Sequence, residues 1–120
     1  MLSCKHEALR HAMADLRRAI RSFLDTGFFA YRSIECVKQH FVTNATDDKA
    51  SWTKMRDSLQ IDRDFIQEVK KFADHRRHGG VFRVSPHDRL VILDKTWRII
   101  DRFVSFLDQD QNPLSLPPLT

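Results

Sequence analysis

The sequence has few of the residues that form tight turns or staple small folds. Its 120 residues include three glycines, four prolines and two cysteines. An all-β fold needs many tight turns, which glycine and proline usually supply, so their scarcity disfavours that class. The two cysteines, Cys4 and Cys36, have neither a CxxC partner nor zinc-site spacing. We therefore expect free thiols and no structural metal.

Long apolar runs are also missing, because the longest run has only four residues. A transmembrane helix requires about 20 apolar residues, and the N-terminus carries charges where a signal peptide has its apolar segment. We therefore expect a cytoplasmic protein that does not contact a membrane. With 42% apolar and 30% charged residues, the chain has the composition of one globular domain.

Charge is unevenly distributed along the chain, which has a net charge of +4. Residues 70–102 carry nine Lys and Arg against four Asp and Glu, together with three histidines. A basic segment with histidines is a candidate surface for a polyanion such as RNA. The alternative is an ordinary solvated helix face that is rich in arginine.

Hydrophobic periodicity predicts five helices. In the first segment, apolar residues recur at steps of three and four, which places them on one helix face: Leu9, Met13, Leu16, Ile20 and Phe23. Residues 25–27, which end in Gly27, are expected to stop or kink this helix. Similar patterns cover residues 30–41, 52–59, 65–73 and 90–107. We predict an all-α, antiparallel bundle of four to five helices over residues 1–110, and a proline-rich tail over residues 111–120.

The last helix has the clearest start signal, since Ser85 is a good N-cap and Pro86 suits the first helical position. It also carries a second apolar stripe beside the first: Ile92, Ile99, Phe103 and Phe106. Such a wide apolar arc indicates a central helix or one that also covers a partner. We expect a homodimer that buries part of the second stripe, or a partner protein bound there.

Two patches resemble a known family when they are taken together. Residues 28–37 form an aromatic-rich second helix that contains one glutamate, Glu35, and residues 72–79 end a helix with the sequence Phe-Ala-Asp-His-Arg-Arg-His-Gly. Their order in an all-α chain of this size resembles the HEPN-like superfamily, over roughly residues 5–108. The resemblance implies a small helical bundle, often a homodimer, linked to RNA cleavage, RNA binding and toxin or defence systems.

Active members of that superfamily share an arginine followed, after four to six intervening residues, by a histidine. Lys71 has this spacing to His78, but lysine lacks the planar fork of arginine. Metal-free RNA cleavage needs proton transfer and phosphate stabilisation. His78 would supply the first, and Arg77 or Arg76 the second. The same cations also suit an ordinary helix C-terminus, so the sequence leaves catalysis open.

The remaining site predictions concern binding and support. Glu35 is either solvated at the edge of the apolar face or partly buried and paired with an arginine such as Arg77 or Arg98. Asp74 would orient a neighbouring arginine or pair with Arg77. Five cations are the expected RNA contacts: Lys70, Lys71, Arg76, Arg77 and Arg83.

The two tryptophans, Trp52 and Trp97, share the helical spacing of apolar residues, so we expect them in the core rather than stacked on bases. We expect no cofactor, because the sequence has no glycine-rich phosphate loop, nucleophile elbow or HExxH motif. The leading interpretation is an RNA-associated HEPN-like protein, as a degenerate or metal-independent endoribonuclease. The alternative is a non-catalytic interaction module, such as an antitoxin or adaptor, that uses its apolar last helix.

Overall fold

Five helices make up most of the described part of the chain. The computed structural model describes residues 6–44, 47–77 and 84–120, without the side chains of residues 74–77. The helices are α1 (Glu7–Arg21), α2 (Thr26–Gln39), α3 (Asp48–Leu59), α4 (Arg63–Arg77) and α5 (Pro86–Asp108). The described ranges contain no β-strand, only one isolated bridge between Ile61 and Leu119. The predicted all-α bundle is confirmed.

Helix α2 lies at the centre of the bundle and contacts the other four helices. It runs antiparallel to α1, and its buried face includes Ala30, Ile34 and Val37. The buried hydroxyl of Ser33 donates a 2.7 Å hydrogen bond to the carbonyl of Ala12 in α1. This polar group is therefore satisfied inside the core, as burial requires.

The buried face of α1 agrees with the prediction only in part. Leu9 and Leu16 are buried, whereas Met13, Ile20 and Phe23, which were expected on the same face, are 40%, 52% and 75% exposed. Ala12 and Ala19 are fully buried instead. Small side chains allow the backbones of two helices to approach closely, and a pattern based on large apolar residues does not detect this. The expected position of these three side chains was wrong. Their exposure leaves apolar surface facing solvent.

The turn between α1 and α2 also differs from the prediction. Helix α1 ends at Arg21, and Gly27 lies within the first turn of α2 rather than at a helix stop. A Cβ atom at Gly27 would lie 2.7 Å from the Cβ of Phe72 in α4. Ordinary carbon contacts are about 3.5–4.0 Å, so glycine is needed here for the close approach of α2 and α4.

Helix α5 begins as predicted, because the Ser85 hydroxyl accepts a 3.0 Å hydrogen bond from the backbone N–H of Asp88, and Pro86 follows the cap. The expected partner interface is wrong, however. The four residues of the second stripe are at most 4% exposed and lie in the chain's own core: Ile92, Ile99, Phe103 and Phe106. They are not available to a second protein.

The last residues of the chain pack against the turn between α3 and α4. Leu114 is buried, and its backbone N–H donates to the carbonyl of Ser58 at 2.9 Å. The guanidinium of Arg102 donates to the carbonyls of Leu59 at 3.1 Å and Pro117 at 2.8 Å. Helix α5 therefore holds this segment and the α3–α4 turn together.

Candidate functional site

A groove between α3 and α4 forms a candidate site, with a cavity of about 400 Å³. This volume falls in the range of ligand pockets, which is about 300–1,000 Å³. One face of α3 and one face of α4 form its walls, and α2 contributes to its base. The lining residues are Tyr31, Asp48, Lys49, Trp52, Arg56, Arg63, Ile66, Gln67 and Lys70. We call this set the α3–α4 groove.

An aromatic pair forms part of the groove. The rings of Tyr31 and Trp52 stack with 6.0 Å between centroids and 15° between planes. Tyr31 is buried, whereas Trp52 is half-buried and lines the cavity. The ammonium of Lys38 lies 5.6 Å from the centroid of the Trp52 ring, which is within cation–π range. The indole is therefore held in place by its neighbours before any ligand arrives.

The acidic residue among the described lining of the groove, Asp48, forms an ion pair with Lys38 of α2. The nearly buried Nζ of Lys38 lies 2.7 Å from Asp48 Oδ1. The hydrogen bond and charge of Lys38 hold the pKa of Asp48 below its usual value. Asp48 is thus paired with Lys38, while its side chain stays 75% exposed.

Four cations line the groove among the side chains that the structure describes: Lys49, Arg56, Arg63 and Lys70. None of them forms an ion pair with another residue in the described part of the chain. Arg56 Nη2 makes one long hydrogen bond, 3.4 Å to the Thr53 hydroxyl. Like charges along one concave surface create a positive potential that attracts anions.

Of the two predicted RNA contacts whose side chains the structure describes, Lys70 lines this groove and Lys71 does not. Lys71 points elsewhere, because its Nζ pairs with Glu68 at 3.0 Å and lies 5.3 Å from the centroid of the Phe72 ring. The remaining predicted site positions lie outside the described residues, either wholly or through their side chains: Asp74, Arg76, Arg77, His78 and Arg83. Their roles stay predictions.

The predicted supporting carboxylate, Glu35, is half-buried on α2. Of its two proposed partners, Arg98 forms its ion pair with Asp94, with Nε 2.9 Å from Oδ2. The side chain of the other, Arg77, is not among those described.

The other cations of the basic segment 70–102 have separate structural contacts. Arg89 donates to the Thr26 hydroxyl at 3.1 Å and to the Ile20 carbonyl. The Nζ of Lys95 lies 4.2 Å from the centroid of the Phe65 ring. The excess of basic residues along this segment therefore does not form one surface in the described residues.

Three cations of the groove were not predicted from the sequence, and they lie outside the basic segment 70–102. Lys49, Arg56 and Arg63 belong to residues 33–69, where acids outnumber bases. Helical spacing could have predicted this part of the groove, because Lys49, Trp52 and Arg56 follow one another at steps of three and four and share one face of α3. Trp97 was also expected in the core, but it is 48% exposed.

A second polar cluster surrounds Asp15 in α1, which is 3% exposed. Arg18 Nη1 lies 2.8 Å from Asp15 Oδ1, and Arg32 Nε lies 3.6 Å from Oδ2. The Cys36 thiol donates to Asp15 Oδ2 at 3.3 Å. Burial, then the hydrogen bond and charge of Asp15, raise the pKa of Cys36 to about 12. Because the thiolate is the reactive form, this cysteine is not a nucleophile at neutral pH.

No group of three or more His, Cys, Asp and Glu side chains in the described ranges could hold a metal ion. Among the described helices, none is both long and apolar enough to span a bilayer.

Comparison with known proteins gives a family. Residues 1–108 match the family described as the domain of unknown function (DUF8168) C-terminal domain. No curated protein and no solved structure matches the chain.

Proposed function

We propose that this chain, which belongs to the DUF8168 C-terminal domain family, binds RNA through the α3–α4 groove. One observation carries the proposal. Four cations line the cavity beside a stacked Tyr31–Trp52 pair, while Asp48, the acid among the described lining residues, is paired with Lys38. Cations that hold phosphates beside an aromatic surface are the usual components of sites for single-stranded nucleic acid.

Arginine suits such a site because its planar fork can donate two parallel hydrogen bonds to phosphate oxygens. Arg56 and Arg63 stand on opposite walls of the groove, on α3 and α4. A sugar–phosphate chain between the walls would therefore meet a guanidinium on each side. Lys49 and Lys70 would add charge without a fixed orientation.

The resemblance of residues 28–37 and 72–79 to the HEPN-like superfamily supports the same function by an independent route. It also motivates the narrower proposal of a cytoplasmic toxin or defence ribonuclease. That proposal depends on Arg76, Arg77 and His78, and binding through the groove does not require it.

Filter binding of a labelled RNA at a series of salt concentrations tests the proposal. Binding through phosphates releases counterions, so we expect the logarithm of the association constant to fall linearly with the logarithm of salt. No retention of RNA at about 50 mM salt, where such contacts are strong, would contradict RNA binding.

A second candidate function, protein interaction, is favoured by exposed apolar side chains. Ile20, Phe23 and Leu24 at the end of α1, and Leu90 and Val91 near the start of α5, are between 37% and 75% exposed. We call these five residues the α1–α5 surface. It borders a cleft of about 390 Å³. Large exposed apolar patches often mark protein interfaces, so we propose that a homodimer forms here.

Light scattering at micromolar concentration tests the dimer. We expect twice the mass of one chain for the wild type, and the mass of one chain for Leu90→Ser, which replaces the most exposed large apolar side chain of α5 by a polar one. A wild-type particle with the mass of a single chain would contradict the dimer, and would leave the α1–α5 surface to a different protein.

A further inference from the structure

The α3–α4 groove has a feature that phosphate binding alone does not need, namely an oriented indole among its cations. The Trp52 ring is stacked on Tyr31, and the ammonium of Lys38, which pairs with Asp48, lies 5.6 Å from the ring centroid. Stacking and a nearby cation thus hold the ring, so less side-chain entropy remains to be lost when a ligand binds.

The cations of the groove stand on both sides of this ring. On α3, Lys49 precedes Trp52 by three residues and Arg56 follows it by four, so all three lie on one helix face. On the facing helix, Arg63 and Lys70 are separated by seven residues, which is two helical turns and again one face. An anion can therefore be held while a planar group lies at Trp52.

We propose that the groove accepts one nucleotide unit of single-stranded RNA, with its unpaired base on Trp52 and its flanking phosphates on Arg56, Arg63 and Lys70. The inference rests on the proposed RNA binding and adds the substrate class. A base within a duplex is stacked on its neighbours and cannot lie on a side chain, whereas a base of a single strand can. The groove should therefore discriminate against double-stranded RNA.

The groove also offers one group that can contact the edge of a base. Gln67 on α4 lines the cavity, and its amide carries both donors and acceptors. Stacking itself tolerates any base, because every base has a π-face. We therefore expect weak preference among bases, with any preference depending on Gln67.

Fluorescence provides a direct test, because the chain has two tryptophans. In Trp97→Phe, Trp52 becomes the only indole and reports on stacking. We expect AMP to quench its emission, and ribose 5-phosphate, which has the phosphate but no base, to leave the emission nearly unchanged. Emission that responds equally to both probes, or to neither at concentrations that saturate binding, would overturn the stacking.

Affinity for RNA separates this inference from the function on which it rests. Removing one base stack costs about 5- to 150-fold, so Trp52→Leu should bind a single-stranded oligonucleotide at least fivefold more weakly. The matched variant Trp97→Leu should bind it as the wild type does. Trp52→Phe keeps an aromatic ring and should retain most of the affinity, which distinguishes loss of stacking from loss of folding.

The outcomes are distinct. Equal affinity for single strand and duplex, unchanged in a folded Trp52→Leu, would overturn the single-strand inference and leave RNA binding intact. No affinity of the wild type for either RNA would overturn both. Preference for the single strand, lost in Trp52→Leu and kept in Trp97→Leu, would support the proposal.

Discussion

Replacing Gly27 by alanine should destabilise the protein, although alanine is the better helix former. The new Cβ would lie 2.7 Å from Phe72 Cβ and 3.1 Å from the Phe72 carbonyl carbon, so α2 and α4 must separate by about 1 Å. Overpacking of this kind costs about 1–3 kcal/mol, and the gain in helix propensity is at most about 1 kcal/mol. We expect a net loss of roughly 1–2 kcal/mol.

Urea unfolding followed by circular dichroism measures this loss. A double variant tests whether the loss comes from the contact with the Cβ and backbone of Phe72. Phe72→Ala removes the ring but keeps those atoms. Gly27→Ala should therefore lower the free energy of unfolding about as much in the Phe72→Ala background as in the wild type. Gln39→Ala, at an exposed position of α2, is the control and should be nearly neutral. Unchanged or increased stability of Gly27→Ala would refute the close approach of the two helices.

Three further predictions concern the C-terminal segment, the ion pair of the groove and cleavage. Arg102→Met should expose residues 109–120 to proteolysis, because Arg102 bonds carbonyls in both the α3–α4 turn and that segment. Asp48→Asn should be less stable than the wild type at neutral pH, and thermal unfolding should show this difference shrinking as pH falls. If the protein cleaves RNA, His78→Ala should lower the rate about 10²–10⁴-fold, measured in excess EDTA with circular dichroism to confirm folding.

The pH dependence expected for Asp48→Asn follows from the lowered pKa of Asp48. A carboxyl group whose pKa is lowered in the folded state stabilises the protein above its unfolded pKa, and that contribution is lost as pH falls through the folded value. The ordinary pKa of an aspartate carboxyl is 3.8, so the wild type should lose the stabilisation by ionised Asp48 below about pH 4. A constant difference between the two proteins down to pH 2 would contradict the contribution of the ion pair.

The other two predictions also have contradicting outcomes. If residues 109–120 of Arg102→Met resist protease as well as those of the wild type, Arg102 does not hold the segment. Full activity in a folded His78→Ala would exclude that residue from proton transfer, and activity lost in EDTA would exclude a metal-free mechanism.

Periodicity predicted the helices well because each buries one face, and that face recurs every three to four residues. It failed for α1, where buried alanines carry little hydrophobic signal and exposed Ile20 and Phe23 carry much. It also misread Gly27, since a glycine required by a distant helix has the same local sequence as a helix stop. The contact with Phe72, 45 positions later in the chain, is set only by tertiary packing.

The candidate site was harder to predict because its charges come from separate helices. The net charge of residues 33–69 is negative, yet Lys49, Arg56 and Arg63 converge on one groove. The acid that could oppose them, Asp48, pairs with Lys38 from α2. Only the fold shows which charges are neutralised and which remain available to a ligand.

RNA affinity of a groove double variant, measured against salt, tests the central claim most directly. Arg56→Gln with Arg63→Gln should lower affinity at least tenfold and reduce the salt slope by about 1.4, which is two phosphate contacts at roughly 0.7 each for a single strand. Arg17→Gln with Lys54→Gln removes the same charge from exposed positions outside the groove and should leave the slope near that of the wild type. Equal losses in both double variants would contradict binding through the α3–α4 groove.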